Sequence, residues 1–157
     1  MMGKIDDKIK ELGYKLPEQA TPAGNYVPTV LISQSNLIYT SGTISKAADG
    51  SLLTGKLGEN LEIEEGYAAA KQTGLNLLGS LKASIGDLDK VKRIVKLLCL
   101  VNSTDTFESH PLVANGCSDL FVEIFGERGK HARSAVGVAS LPNNVCVEIE
   151  MIVEISE

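Results

Sequence analysis

The stretch His131–Met151, HARSAVGVASLPNNVCVEIEM, decides how this chain folds. Two runs of alternating apolar residues flank Leu141-Pro142-Asn143-Asn144, which has the chemistry of a turn. Val136 and Val138 make the apolar row of the first arm; Val145, Val147, Ile149 and Met151 make that of the second. The simplest pairing is a hairpin with both rows on one core. Side chains alternate strictly along a strand, so Arg133, Ala135, Gly137 and Ala139 would then share the other face with Glu148 and Glu150. An arginine among small residues and near a carboxylate suits the grip of a small organic acid. It equally suits a structural ion pair on a solvated face, and spacing alone leaves both open.

Moving upstream, Val113, Cys117, Leu120, Phe121 and Ile124 fall at helical spacing and predict a helix over about 111–127. Gly126 and Gly129 loosen its return to the Arg133 arm. Residues 91–101 are apolar on both faces towards their end, as in a central strand. Another helix is expected over about 62–84, with Ile63, Tyr67, Ala70, Gly74, Leu77 and Leu81 on one stripe and Gly86 as its stop. Ala70 and Gly74 on that stripe would let the axis approach a sheet closely. Asp87-Leu88-Asp89 is turn material, and residues 45–60, rich in Gly, Ser, Lys and Asp, read as an exposed loop.

Residues 27–33 and 37–42 read as a strand pair around Gln34-Ser35-Asn36, and Pro17, Pro22 and Pro28 keep the preceding stretch extended. Ile5, Ile9 and Leu12 mark a short amphipathic helix ended by Gly13. One domain is expected over 1–157: a helical extension at 1–19 and a core at 20–157. After the extension the order is strand, strand, helix, strand, helix, strand, strand, an α+β arrangement. Two helices on one sheet face leave the other face open, and such a face is often finished by another subunit.

Composition narrows the partners. The chain has 157 residues, 43% hydrophobic and 22% charged, with no Trp and a formal net charge of −5. No dense basic run is present; Lys90, Lys92, Arg93 and Lys96 read as the entry and polar face of a strand, so nucleic acid is not the expected partner. Cys99, Cys117 and Cys146 sit singly in apolar patterns, as buried reduced thiols do. The opening MMGKIDDKIKE has no apolar stretch of signal-peptide length and no window approaches a membrane span, so a cytoplasmic location is expected.

Two blocks carry a resemblance. Arg133-Ser134, Val138, Leu141-Pro142 and Val147-Glu148-Ile149-Glu150 resemble the C-terminal signature of the RidA/YjgF family. Asn36-Leu37-Ile38-Tyr39-Thr40-Ser41-Gly42 is similar to that family's early strand and T-S-G segment, and Gly24-Asn25-Tyr26 to its G-P-Y. The resemblance spans roughly residues 20–155. It implies a chorismate-mutase-like mixed sheet with two helices on one face, and a homotrimer with ligand clefts between subunits. It also implies hydrolysis of reactive enamines and imines, such as 2-iminopropanoate, to the 2-oxo acid and ammonia.

By the same resemblance, Arg133 binds the substrate carboxylate and Glu148 positions water and shuttles protons, as this chemistry requires. Tyr26, Ser41, Gly42, Phe107 and Asn115 are the implied substrate-binding residues; Asn115 aligns only if extra residues are allowed around 108–112. Glu150 is given a structural role. Ala135 departs from the pattern, standing where many active deaminases have cysteine, and the segment 26–40 is slightly longer. The expected partner is a small carboxylate-bearing metabolite. No metal or organic cofactor is expected, since His110 and His131 lack ligand spacing and no nucleophile elbow, P-loop or Rossmann glycine pattern occurs. The alternatives are a non-catalytic sensor of small carboxylates using the same Arg133, or the endoribonuclease and translation-inhibitor role of some relatives.

Overall fold

The two arms of the 131–151 segment are strands, but they do not pair with each other. A computed structural model describes residues 3–156. The chain runs α1 (Lys4–Glu11), β1 (Thr29–Ile32), β2 (Leu37–Thr40), β3 (Thr43–Ile44), α2 (Ile63–Ile85), β4 (Val91–Asn102), α3 (His110–Phe125), β5 (Ala132–Val138) and β6 (Val147–Ile155). The sheet order is β1-β2-β6-β4-β5, with the short β3, which the pattern did not announce, also on β6. β6 runs antiparallel to β2 and β4, whereas β4 and β5 are parallel. The expected hairpin is therefore opened: β4 lies between its arms. A strand, a helix and a strand in succession return the chain parallel to its start, so α3 delivers β5 to the outer edge of β4. That leaves the inner edge of β4 to β6.

This order inverts one face assignment. Leu97, Cys99 and Val101 pair with Arg133, Ala135 and Gly137 on one side and with Met151, Ile149 and Val147 on the other. Paired residues share a face. The β4 and β6 members of these rows are buried, and Ala135 packs against the same core, so this is the helix-covered face. Arg133 and Gly137 thus face the helices, while Glu148 and Glu150 point the other way. Val136, expected in the core, is 43% exposed. The parity along each strand holds; the sign of β5 relative to β6 does not.

The core lies between the sheet and the α2–α3 layer and is built from Leu77, Leu81, Ile94, Leu97, Leu120, Phe121, Ile149 and Val153, among others. The opposite face is uncovered: Val30, Ile32, Tyr39 and Val136 are exposed there, and Leu98, Leu100 and Ile152 are half-buried. At the start of α2, the Glu65 carboxylate accepts the Glu62 N–H at 2.9 Å. The small residues of this helix serve a different contact from the one expected. A Cβ on Gly74 would lie 2.9 Å from Leu120 Cδ2 and 3.0 Å from Cys117 Sγ, and one on Gly116 would strike the Tyr67 carbonyl. The close approach is between α2 and α3, not between α2 and the sheet.

Three local details complete the frame. Ile5 and Ile9 of α1 are buried, and the Asp89 carboxylate accepts the N–H groups of Lys4 (2.8 Å) and Ile5 (2.7 Å). Within 45–60, Ser45 and Leu57 are fully buried and isolated bridges tie Thr54 to Val145 and Leu57 to Ser103, so this loop is only partly exposed. Gly126–Gly129 forms a tight 3-10 turn in which Gly129 is buried against the Phe121 carbonyl, rather than a loose connection.

Candidate functional site

Arg133 lies under α3, which holds it. Its Nη1 donates to Asn115 Oδ1 and to Ser118 Oγ, both at 2.9 Å, and Nη2 makes a longer contact of 3.4 Å with the Pro111 carbonyl. Asn115 and Ser118 are three apart on one helix, hence on one face, and that face meets the β5 row. Both protons of Nη1 are thereby used. Nε has no acceptor among the described residues, Nη2 has only that longer contact, and no carboxylate there pairs with the group. A planar guanidinium anchored at one nitrogen and without an acceptor at Nε is arranged for a bidentate carboxylate. The structural ion pair with Glu148 or Glu150 is excluded by the sheet lying between them.

Ser118 continues the chain of contacts. Its Oγ is 3.0 Å from His131 Nε2, and His131 Nδ1 is 2.6 Å from the Gly129 carbonyl. A carbonyl only accepts, so Nδ1 carries the proton and the neutral ring offers Nε2 to the Ser118 hydroxyl. Burial holds the His131 pKa below its ordinary value, with the Arg133 charge adding to the effect. Arg133, Ser118, His131, Lys130 and Val122 line a shallow hollow of about 330 Å³.

The remaining implied residues gather elsewhere. Glu148 pairs with Ile44 of β3 on the open side of the sheet. A Cβ on Gly42 would strike its Oε1, so the bare Gly42 backbone makes room for the carboxyl. Burial, with the nearby Glu150 charge second, raises the Glu148 pKa above its usual 4.5. The competing arginine that would lower it is on the other face. Ser41 spends its hydroxyl on the Val27 carbonyl (2.7 Å) and its N–H on the Pro28 carbonyl (2.8 Å), pinning the segment that carries Tyr26. Tyr26 is 53% exposed. Phe107 sits beyond the end of β4, edge-on to His110 with ring centroids 5.3 Å apart.

The residues named from the sequence therefore fall into two groups: Arg133 and Asn115, with Phe107 and Ala135, on the helix-covered side of the sheet, and Tyr26, Ser41, Gly42 and Glu148 apart from them. The sequence reading named these residues but missed Ser118, whose spacing from Asn115 was the available signal. The thiols take no part: all three cysteines are free and buried, and burial pushes Cys99 up to about 12. Among the described residues, no group of three or more His, Cys, Asp or Glu is placed to hold a metal ion, and no helix is long and apolar enough to cross a membrane.

Comparison with known proteins rests on nearly the whole chain. Residues 6–155 match the family model described as YjgF/chorismate mutase-like, putative endoribonuclease. The chain belongs to this family. Protein TCP17 of Trypanosoma cruzi is 44% identical over 155 residues, covering 98% of this chain and 96% of the relative. Among solved structures, Atu1372 of Agrobacterium tumefaciens, a protein of unknown function, is 41% identical with a TM-score of 0.88 over 97% of this chain and 92% of that one. RidA from the Antarctic bacterium Psychrobacter is 29% identical with a TM-score of 0.58, over 90% of this chain and 97% of that one. The mixed sheet of this YjgF-family member, with both long helices on one face, is the chorismate-mutase-like fold expected from the two sequence blocks.

Proposed function

We propose that this protein hydrolyses reactive enamines and imines of small 2-oxo acids, releasing ammonia, in clefts between protomers of a homotrimer. One observation carries the reading: Arg133 Nη1 is anchored by Asn115 and Ser118, while Nε has no acceptor and the charge no carboxylate partner among the described residues. The carboxylate of a 2-imino acid accepts two charge-assisted hydrogen bonds from Nε and Nη2, worth about 1.5–3 kcal/mol each. Glu148, desolvated beside Gly42, has the raised pKa that suits a group taking a proton from water and returning it to the leaving nitrogen. Within one chain the two groups are separated by the sheet. In the assembly, the Arg133 side of one protomer meets the Tyr26–Gly42–Glu148 side of its neighbour, and the apolar open face supplies the contact.

The test uses 2-iminopropanoate generated in situ, with pyruvate and ammonia followed for wild type, Arg133→Ala and Glu148→Gln. Both variants should stay folded and lose most turnover, and only Arg133→Ala should lose pyruvate binding. The acid limb of the wild-type pH–rate profile should lie above the ordinary carboxylate range and vanish with Glu148→Gln. Wild type that binds pyruvate through Arg133 but shows no turnover would instead make the protein a carboxylate sensor. Ala135, in the position many active deaminases give to cysteine, is the observation favouring that second reading.

A further inference from the structure

We propose that Ser103 and His110 form a nucleophile–base pair in a hollow beyond the end of β4, sharing only Phe107 with the Arg133 group, and give this chain an acyl-transfer activity towards small neutral esters. Ser103 Oγ is 3.1 Å from His110 Nε2, within the reach that proton transfer requires. The pair sits in a hollow of about 500 Å³, lined by Lys56, Ser103, Thr104, Phe107, His110 and Gly137. That volume is within the range of small-molecule sites. Neither Arg133 nor Glu148 lines it.

The pocket is built around the pair. A Cβ on Gly137 would strike His110 Nε2 and lie 2.6 Å from Ser103 Oγ, so only glycine at this β5 position lets the imidazole reach the serine. Gly58, at φ +83°, likewise leaves room: a Cβ there would lie 2.6 Å from Thr104 Oγ1. Phe107 packs edge-on to the imidazole and walls the hollow. His110 opens α3 just ahead of Pro111.

Lys56 Nζ donates to Asn102 Oδ1 (2.9 Å), the Ala139 carbonyl (2.7 Å) and the Ser103 carbonyl (3.4 Å), all of them neutral. Among the described residues no carboxylate pairs with it, so its positive charge stands beside the Ser103 backbone, where it favours an oxyanion developing on the acyl group. Asp105 at the exposed rim disfavours negatively charged acyl groups.

Ser103 Oγ bonds to the acyl carbon as its proton passes to His110 Nε2, and the oxyanion forms in the field of the Lys56 ammonium. Collapse breaks the bond to the leaving oxygen, which takes the proton from His110. Water then attacks the acyl-serine, again through His110, releasing the carboxylic acid and restoring Ser103.

The full chain is treated with a fluorophosphonate probe, the adduct is located by peptide mass spectrometry, and p-nitrophenyl acetate hydrolysis is followed in parallel. Labelling should fall on Ser103 and disappear in Ser103→Ala. His110→Gln should slow labelling and hydrolysis at least about 100-fold, and Lys56→Met should slow hydrolysis about 10-fold or more. Gly137→Ala, whose methyl displaces the imidazole, should reproduce the His110→Gln loss. Thermal melts establish that each variant is folded. No adduct on wild type, an adduct on another serine, or hydrolysis undiminished in Ser103→Ala would overturn the assignment.

Discussion

Arg133 and Glu148 project from opposite faces of one sheet: Arg133 is paired with Leu97 in the helix-covered row, and Glu148 with Leu100 in the open row. β4 lies between their strands and the sheet itself between their side chains, so any chemistry that uses both draws them from different protomers.

That geometry has a direct consequence for mixed assemblies. Arg133→Ala and Glu148→Gln, each inactive alone, should recover turnover when unfolded and refolded together at equal ratio. In a ring where each cleft takes one group from each neighbour, about one cleft in four regains both, so roughly a quarter of wild-type turnover is expected. Steady-state ammonia release measures it. No recovery in refolded, assembled mixtures would place the catalytic pair elsewhere.

Holding the guanidinium should matter as much as having it. Asn115→Ala and Ser118→Ala each remove one of the two 2.9 Å acceptors of Arg133 Nη1. Each should weaken pyruvate binding by about 1–2 kcal/mol, or roughly 5- to 30-fold, with a smaller effect on kcat. Isothermal titration reads the binding, and unchanged affinity in both variants would show that the guanidinium needs no anchoring.

The α2–α3 contact tolerates no added volume at Gly116. Gly116→Ala should destabilise by about 1–3 kcal/mol, because its methyl meets the Tyr67 backbone. Gly74→Ala should be milder, since the atoms it meets are side-chain ends of Leu120 and Cys117. Urea denaturation midpoints should rank them in that order.

Asp89 fastens α1 to the start of β4, and the two N–H groups it accepts hold its carboxyl below the usual 3.8. A carboxylate with a depressed folded pKa contributes stability above its unfolded value, and that stability is lost as pH falls through the folded one. Asp89→Asn should therefore destabilise at pH 7 by about 0.5–1 kcal/mol, at the low end for a helix cap because the site is exposed and screened. The difference from wild type should shrink below about pH 4, as thermal melts across pH would show.

Much of this was legible in the chain. Ile5, Ile9 and Gly13 announced α1, and the apolar stripes of α2 and α3 announced both long helices close to their observed ends. Residues 91–101 read correctly as a central strand because they are apolar on both faces. Arg133, named from a motif block, and Asn115 and Phe107, named from the wider resemblance, fall on one side of the molecule; Tyr26, Ser41, Gly42 and Glu148 fall on another. The hairpin reading failed because adjacency along the chain suggested pairing, although the strand–helix–strand order before it already favoured a parallel neighbour for β4. Ser103 and His110 carried no local signal, since the six residues 104–109 separate groups that meet only over Gly137.

By itself, then, the sequence determined the elements and, within each strand, which residues travel together, since 2.0 and 3.6 residue periods are properties of the backbone alone. Which of two faces becomes the interior is not such a property. Val136 and Ala135 are each acceptable inside or out, and the choice fell to the pairing of β5 with β4 and the weight of α3 above it. Long-range packing set that sign, and with it the separation of Arg133 from Glu148.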